Sequence, residues 1–479
     1  MKHKYSKKKK KLSKRKVNYK RKTKKNKRFR RSKKAGKAVN RGTFGCVFKP
    51  QLLCSGKTER DPNGVSKLLE KIDADEEMVE IKKVQTALAS LTKRQKKYFS
   101  VFDVETCSVN PITETSDFEG VNTVCGRIID ERNIESFNKN IDKYRLINMP
   151  DYGVESGELI TNTTKENIIL LNNLLKDFVK SAIVPMNKLN VLHNDVKDTN
   201  IMYDGKNLVL IDWGFCAIGK NRSSLPLNVV NNYKVIMANT PFSSLLLKTK
   251  NRLSSLDFVD WYKAIKTDYT LRNKAVIPSD TPTRDIISLY FELEYAPRFY
   301  GDGRNDHTKY LSEFILPNVF MGYSFPDYIN SSTLFQSLLT NYISTILESD
   351  RFVKDNNFDV VKFYYENYLF NCDIWGICYL FSKLIIDLRK STIDNKDEII
   401  FAYQDLLWNE VYKNGSLKID VNGIFDDGGK LDKINDLISG NNQNDPTVFF
   451  PKRSKRLAAK NPVLDEKDQD TEITGIDNV

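Results

Sequence analysis

The run Leu192-His193-Asn194-Asp195-Val196-Lys197-Asp198-Thr199-Asn200-Ile201 sets an aspartate five residues before an asparagine. A second aspartate follows in Leu210-Ile211-Asp212-Trp213-Gly214. Between them Asp204-Gly205 favours a tight hairpin turn, with residues 202–203 and 208–211 as its arms. This set suits transfer of a phosphoryl group. Asp195 can orient an acceptor hydroxyl and take its proton, while the Asn200 amide and the Asp212 carboxylate can hold magnesium ions that neutralise the transferring phosphate. His-x-Asp in a loop means little alone; the whole set at this spacing, bracketing a D-G turn, carries the reading.

Upstream, Asn40-Arg41-Gly42-Thr43-Phe44-Gly45-Cys46-Val47 holds glycines that let backbone N–H groups approach phosphates closely. Asn40 also tolerates unusual backbone angles. In Val65-Ser66-Lys67, strand alternation puts Val65 and Lys67 on one face. A helix is expected over residues 75–91. At ~100° per residue, Ile81, Val84, Leu88 and Leu91 fall within about 40° of Glu77, with Glu76 and Glu80 to the sides. A carboxylate aimed at a core needs a cation to offset its desolvation, and Lys67 can supply it.

Taken in order, these motifs resemble those of protein kinases. H-N-D-V-K-D-T-N stands for H-R-D-L-K-x-x-N, D-W-G for D-F-G, and N-R-G-T-F-G-C-V for the phosphate-covering glycine loop. Asp373-Ile374-Trp375-Gly376 resembles the start of the central helix of the large lobe, whose aspartate braces the catalytic loop. The resemblance implies an α+β, bilobal fold: a β-rich small lobe over 38–150 and a larger helical lobe over 151–440. It implies ATP and Mg2+ as cofactors and a protein substrate. Asp195 would be the catalytic base, Lys197 a contact to the transferring phosphate, and Lys67 with Glu77 the phosphate-positioning pair. Asn200 and Asp212 would be the magnesium ligands. Val39, Asn40, Gly42, Phe44, Gly45, Val47, Val65, Lys67 and Met202 would line the nucleotide, and His193 would be a packing scaffold. The Lys-to-Glu separation is short for the family, which keeps Glu80 open as the alternative partner.

Asn194 replaces the family's arginine before the catalytic aspartate, and an amide offers no cationic clamp for a phosphorylated activation loop. Between Asp212 and Asp373 lie 160 residues, with no A-P-E sequence. Asn239-Thr240-Pro241-Phe242-Ser243-Ser244 stands in for the substrate-facing segment, and an insertion runs over about 245–365. Over residues 38–390 the chain most resembles the divergent serine/threonine-protein kinases of giant DNA viruses. That implies an intracellular place, in host cytoplasm or nucleus, or packaging in a virion. Two other readings stay open: a small-molecule kinase of the aminoglycoside and choline kinase type, which often carries I-D-W, and a nucleic-acid-bound pseudokinase scaffold. Lys197 speaks against the first, and retention of Lys67, Asp195, Asn200 and Asp212 against the second.

Charge is divided unevenly along the 479 residues. The net charge is +15, yet residues 1–37 hold 22 Lys and Arg and no Asp or Glu. The remaining 54 basic residues face 61 acidic ones, so a mildly acidic body of −7 carries a basic arm. Such an arm is expected to be disordered and to bind nucleic acid or another polyanion, or to direct import. A polar tail is expected over 441–479. Seven scattered cysteines without a C-x-x-C pair argue against a disulfide framework and for a reducing compartment. No apolar stretch follows the basic start, as a signal peptide would require. The longest apolar run, near 374–388, is broken by Ser382, Lys383 and Asp387 and is expected to fall short of a membrane span.

Overall fold

The computed structural model describes residues 37–41, 45–113, 115–126, 129–131, 133–231, 236–247, 258–259, 262–263, 281–292, 306–355 and 357–440. The basic arm up to residue 36, the turn at 42–44 and the tail at 441–479 lie outside the described residues.

Alternating apolar residues before residue 150 build a five-stranded antiparallel sheet. Its strands are β1 (Lys37–Arg41), β2 (Gly45–Lys49), β3 (Gly64–Glu70), β4 (Glu105–Ser108) and β5 (Tyr144–Pro150), in the order β1-β2-β3-β5-β4. In β3 the side chains alternate: Ser66 and Leu68 are buried, Val65 and Lys67 half-buried. Leu68 packs with Cys46, Phe48, Phe137 and Leu146 on one face, and Ser66 Oγ donates to Asn148 Oδ1 at 2.5 Å. On the other face Val47 sits across from Lys67, and Lys67 across from Ile147. The helix α1 (Lys71–Ala87) follows β3 directly and buries Ala74, Met78, Ile81 and Val84. That spacing of three and four residues is one helical face.

The cysteine expectation is corrected here. Cys46 pairs with Cys125 and Cys54 with Cys107 as disulfides, with Cα atoms 5.6 and 5.7 Å apart. Sequence spacing cannot show such pairs, because the fold brings together residues 53 and 79 apart in the chain. Cys216, Cys372 and Cys378 remain free and buried.

From residue 151 onward helices dominate. The helices used below are α2 (Lys165–Phe178), α3 (Leu334–Leu347), α4 (Leu369–Lys390), α5 (Lys396–Leu406) and α6 (Lys430–Ser439). Short strands β6 (Val154–Glu155), β7 (Val191–Leu192), β8 (Ile201–Tyr203), β9 (Leu208–Leu210) and β10 (Ala217–Ile218) form two small antiparallel sheets at the loops of interest. The architecture is therefore α+β. Every residue from Asn371 to Ser382 in α4 is buried, so this helix is the axis of the helical part. A helical stretch from Val360 to Lys390 is long and apolar enough to cross a bilayer, contrary to the expected shortfall, but 83% of its most apolar window lies inside the protein core. The expected insertion contributes to that core: α3 buries Phe335, Leu338, Leu339, Tyr342, Ile343 and Ile346.

Candidate active site

Asp373 organises the loop that carries the run from His193 to Asn200. It sits on α4, 1% exposed. Its Oδ2 accepts the His193 backbone N–H at 3.0 Å and the Asn187 side-chain amide at 2.9 Å. Its Oδ1 accepts the Asn194 N–H at 2.9 Å. Burial raises its carboxyl above the usual range; His193 and these three donors offset part of that. Gly376, one turn along, is needed because a Cβ there would come within 2.4 Å of the Val196 carbonyl oxygen. Asn194 takes a left-handed backbone with φ 65°, which asparagine tolerates better than most residues. His193 is fully buried, with Nε2 at 3.0 Å from the Ile211 carbonyl and its ring edge-on to Trp213 at 4.8 Å. Those are the surroundings of a scaffold.

The braced loop presents Asp195, 4% exposed, with both carboxylate oxygens engaged. Asn200 Nδ2 donates to Oδ2 and to the Asp195 carbonyl, each at 2.9 Å. Lys197 Nζ lies 3.3 Å from Oδ2. Asn239 Nδ2 donates to Oδ1 at 2.9 Å and to the Val196 carbonyl at 3.2 Å. Asn239 is the residue the motif reading left without a role, although its segment drew notice. A second contact also went unread: Lys383 of α4 pairs with Asp198 at 2.5 Å, inside the same loop.

The hairpin of β8 and β9 carries the chain to Asp212, and the Ile211 N–H returns to the Asn200 carbonyl at 3.0 Å. Asp212 is exposed, has φ 63°, and has no hydrogen-bond or ion-pair partner among the described residues. Its neighbour Trp213 is buried against Phe99 and reaches Ser100 Oγ at 3.3 Å. With its Nδ2 turned onto Asp195, Asn200 keeps Oδ1 free of partners among the described residues. An amide oxygen and an open carboxylate are hard donors of the kind magnesium takes together with phosphate oxygens. No cluster of three or more His, Cys, Asp or Glu side chains suited to a metal occurs among the described residues. Two such donors would leave an ion's remaining coordination positions to its ligand's own oxygens.

On the sheet, Lys67 Nζ lies 2.7 Å from Glu77 Oε2, both partly buried. Glu80 instead pairs with Lys83 at an exposed site, which settles the alternative between the two glutamates. Gly45 matters for the pair, since a Cβ there would stand 3.0 Å from the Lys67 stem. Val47 and Val65 are half-buried on the Lys67 face. Met202 is half-buried in β8, paired with Glu155 and Val209. Val39 is 50% exposed in the irregular register between β1 and β2. Asn40 lies in β1, whereas Gly42 and Phe44 lie outside the described residues. A short segment joins α1 to the Asp212 loop: Gln85 donates to the Val101 carbonyl at 2.5 Å, and the Leu210 N–H donates to the Tyr98 carbonyl at 2.8 Å. Phe99 and Ser100 then hold Trp213.

No protein-family model matches this chain, and no curated protein matches it either.

Proposed function

We propose that this protein is an ATP-dependent serine/threonine-protein kinase, and that its strand-rich and helical parts are the two lobes of a kinase fold. The observation that carries the reading is the loop in which a buried Asp195 carboxylate meets Asn200 and Lys197 and is tied through the β8–β9 hairpin to Asp212, which has no partner among the described residues. Acceptor activation, charge neutralisation and metal holding each need one of these groups, and a structural loop needs none of them.

In this mechanism Lys67, steadied by Glu77, holds the phosphates of ATP against the sheet. Asn200 and Asp212 would hold Mg2+, which supplies charge neutralisation on the phosphates. Asp195 accepts a hydrogen bond from the acceptor hydroxyl. As the hydroxyl oxygen bonds to the γ-phosphorus, the bond to the β-phosphate oxygen breaks and the proton passes to Asp195, so ADP and a phosphomonoester leave. Lys197 faces the charge on the group in flight.

Asp195→Asn is expected to lower phosphotransfer by ~10²–10⁴-fold with ATP binding nearly intact. Asp212→Asn is expected to weaken magnesium-dependent nucleotide binding instead. The assay offers a basic protein, a basic peptide and aminoglycosides as acceptors to the purified chain. Transfer to serine or threonine supports the proposal, transfer only to the small molecules favours a small-molecule kinase, and undiminished transfer by Asp195→Asn removes the role given to Asp195.

A further inference from the structure

The amide of Asn239 is built into the catalytic loop from a distant part of the chain. It lies 44 residues beyond Asp195 and is 6% exposed. One nitrogen serves two acceptors on successive residues, Asp195 Oδ1 at 2.9 Å and the Val196 carbonyl at 3.2 Å. That geometry fixes the plane of the Asp195 carboxylate. Asn200 and Lys197 hold the other oxygen, so both ends of the carboxylate are tethered.

The segment that carries Asn239 is itself locked. Trp375 of α4 donates its indole N–H to the Ala238 carbonyl at 3.0 Å. Three residues after Asn239, Phe242 is fully buried and meets the rings of Phe335, Tyr342, Trp375 and Tyr412 at 5.3–5.8 Å. A side chain flanked by such anchors loses little further freedom when it binds its acceptors. An aspartate or glutamate here would repel Asp195, and a leucine of the same size would leave the carboxylate oxygen short of a donor. Asparagine supplies two neutral N–H groups and no charge.

We propose that Asn239 is a positioning residue that aims the Asp195 carboxylate at the acceptor hydroxyl. The inference rests on the kinase reading given above. A base swung out of line loses the directed hydrogen bond on which proton transfer depends, while nucleotide binding on the sheet does not involve it. Loss of the amide is therefore a kcat effect.

The test is a double-mutant cycle on the full chain, with phosphotransfer to a serine peptide as readout. Asn239→Leu is expected to lower kcat by about 10–100-fold, the range for one hydrogen bond to a charged group, with KM for ATP unchanged. In the Asp195→Asn background the same change is expected to have almost no effect, because no base remains to be aimed. A general packing role would instead cost the same factor in both backgrounds. Asn239→Asp keeps the volume and replaces the donor by a charge, so it is expected to lose at least as much as Asn239→Leu while melting within a few degrees of the parent. Parental kcat in both variants, or equal losses with and without Asp195, overturns the proposal and leaves the kinase reading standing. Absence of transfer by the parent chain overturns both.

Discussion

At the scale of single residues, the costly group is Asp373. A carboxylate with 1% exposure is far from water, and burial pushes its carboxyl up from the ordinary 3.8. With the folded value raised, the protonated form is favoured on folding. The stability tied to this group is thus greatest below the unfolded value and is lost as pH rises through the folded one. The residue is explained by its three donors, two of which set the backbone of His193 and Asn194 immediately before Asp195. Asp373→Ala would orphan all three, at a cost on the order of 3 kcal/mol or more, and the loop should lose its shape with it. Urea unfolding and phosphotransfer measured on the same variant are expected to fall together. Full activity in a destabilised Asp373→Ala chain would show that the loop holds itself.

At the scale of elements, the segment 236–247 behaves as part of the core. Phe242 lies among four rings, and Thr308 Oγ1 donates to the Ile236 carbonyl at 3.3 Å. Asn194 reaches the Phe215 carbonyl at 3.4 Å and offers no cation. A segment fixed by apolar contacts needs no phosphate to order it, so phosphatase treatment is expected to leave kinase activity unchanged. Activity that vanished on treatment and returned on rephosphorylation between residues 214 and 241 would refute this. The sequence disclosed these elements unevenly. Alternation in β3 and the apolar stripe of α1 were visible because each is a local period, and from them the Lys67–Glu77 pair followed. Asn239 on Asp195, Lys383 on Asp198 and the two disulfides were not visible, because each joins residues 44, 185, 79 and 53 apart with no local pattern. The role of the insertion was hidden for the same reason: only packing shows that α3 seats Phe242.

At the scale of the whole molecule, the chain joins an acidic body to a strongly basic arm. The 22 cations among residues 1–37 are unopposed by any carboxylate in the arm. On the proposed function the nucleotide-facing residues would begin only at Val39, and the arm would supply none of the catalytic groups. Tyr5, Tyr19 and Phe29 are interleaved with the cations, a pattern that lets aromatic rings stack on bases while lysines meet phosphates. If the arm neutralises phosphates, binding to DNA should fall linearly in log salt with a slope of about −0.9 per phosphate contacted. A chain lacking residues 1–37 is expected to lose that binding and to phosphorylate a small peptide at the parental rate. A salt titration of DNA binding with both chains, run beside the peptide assay, decides the matter. Equal binding by the two chains would move the nucleic-acid surface onto the body, and loss of peptide phosphorylation would make the arm part of the catalytic unit.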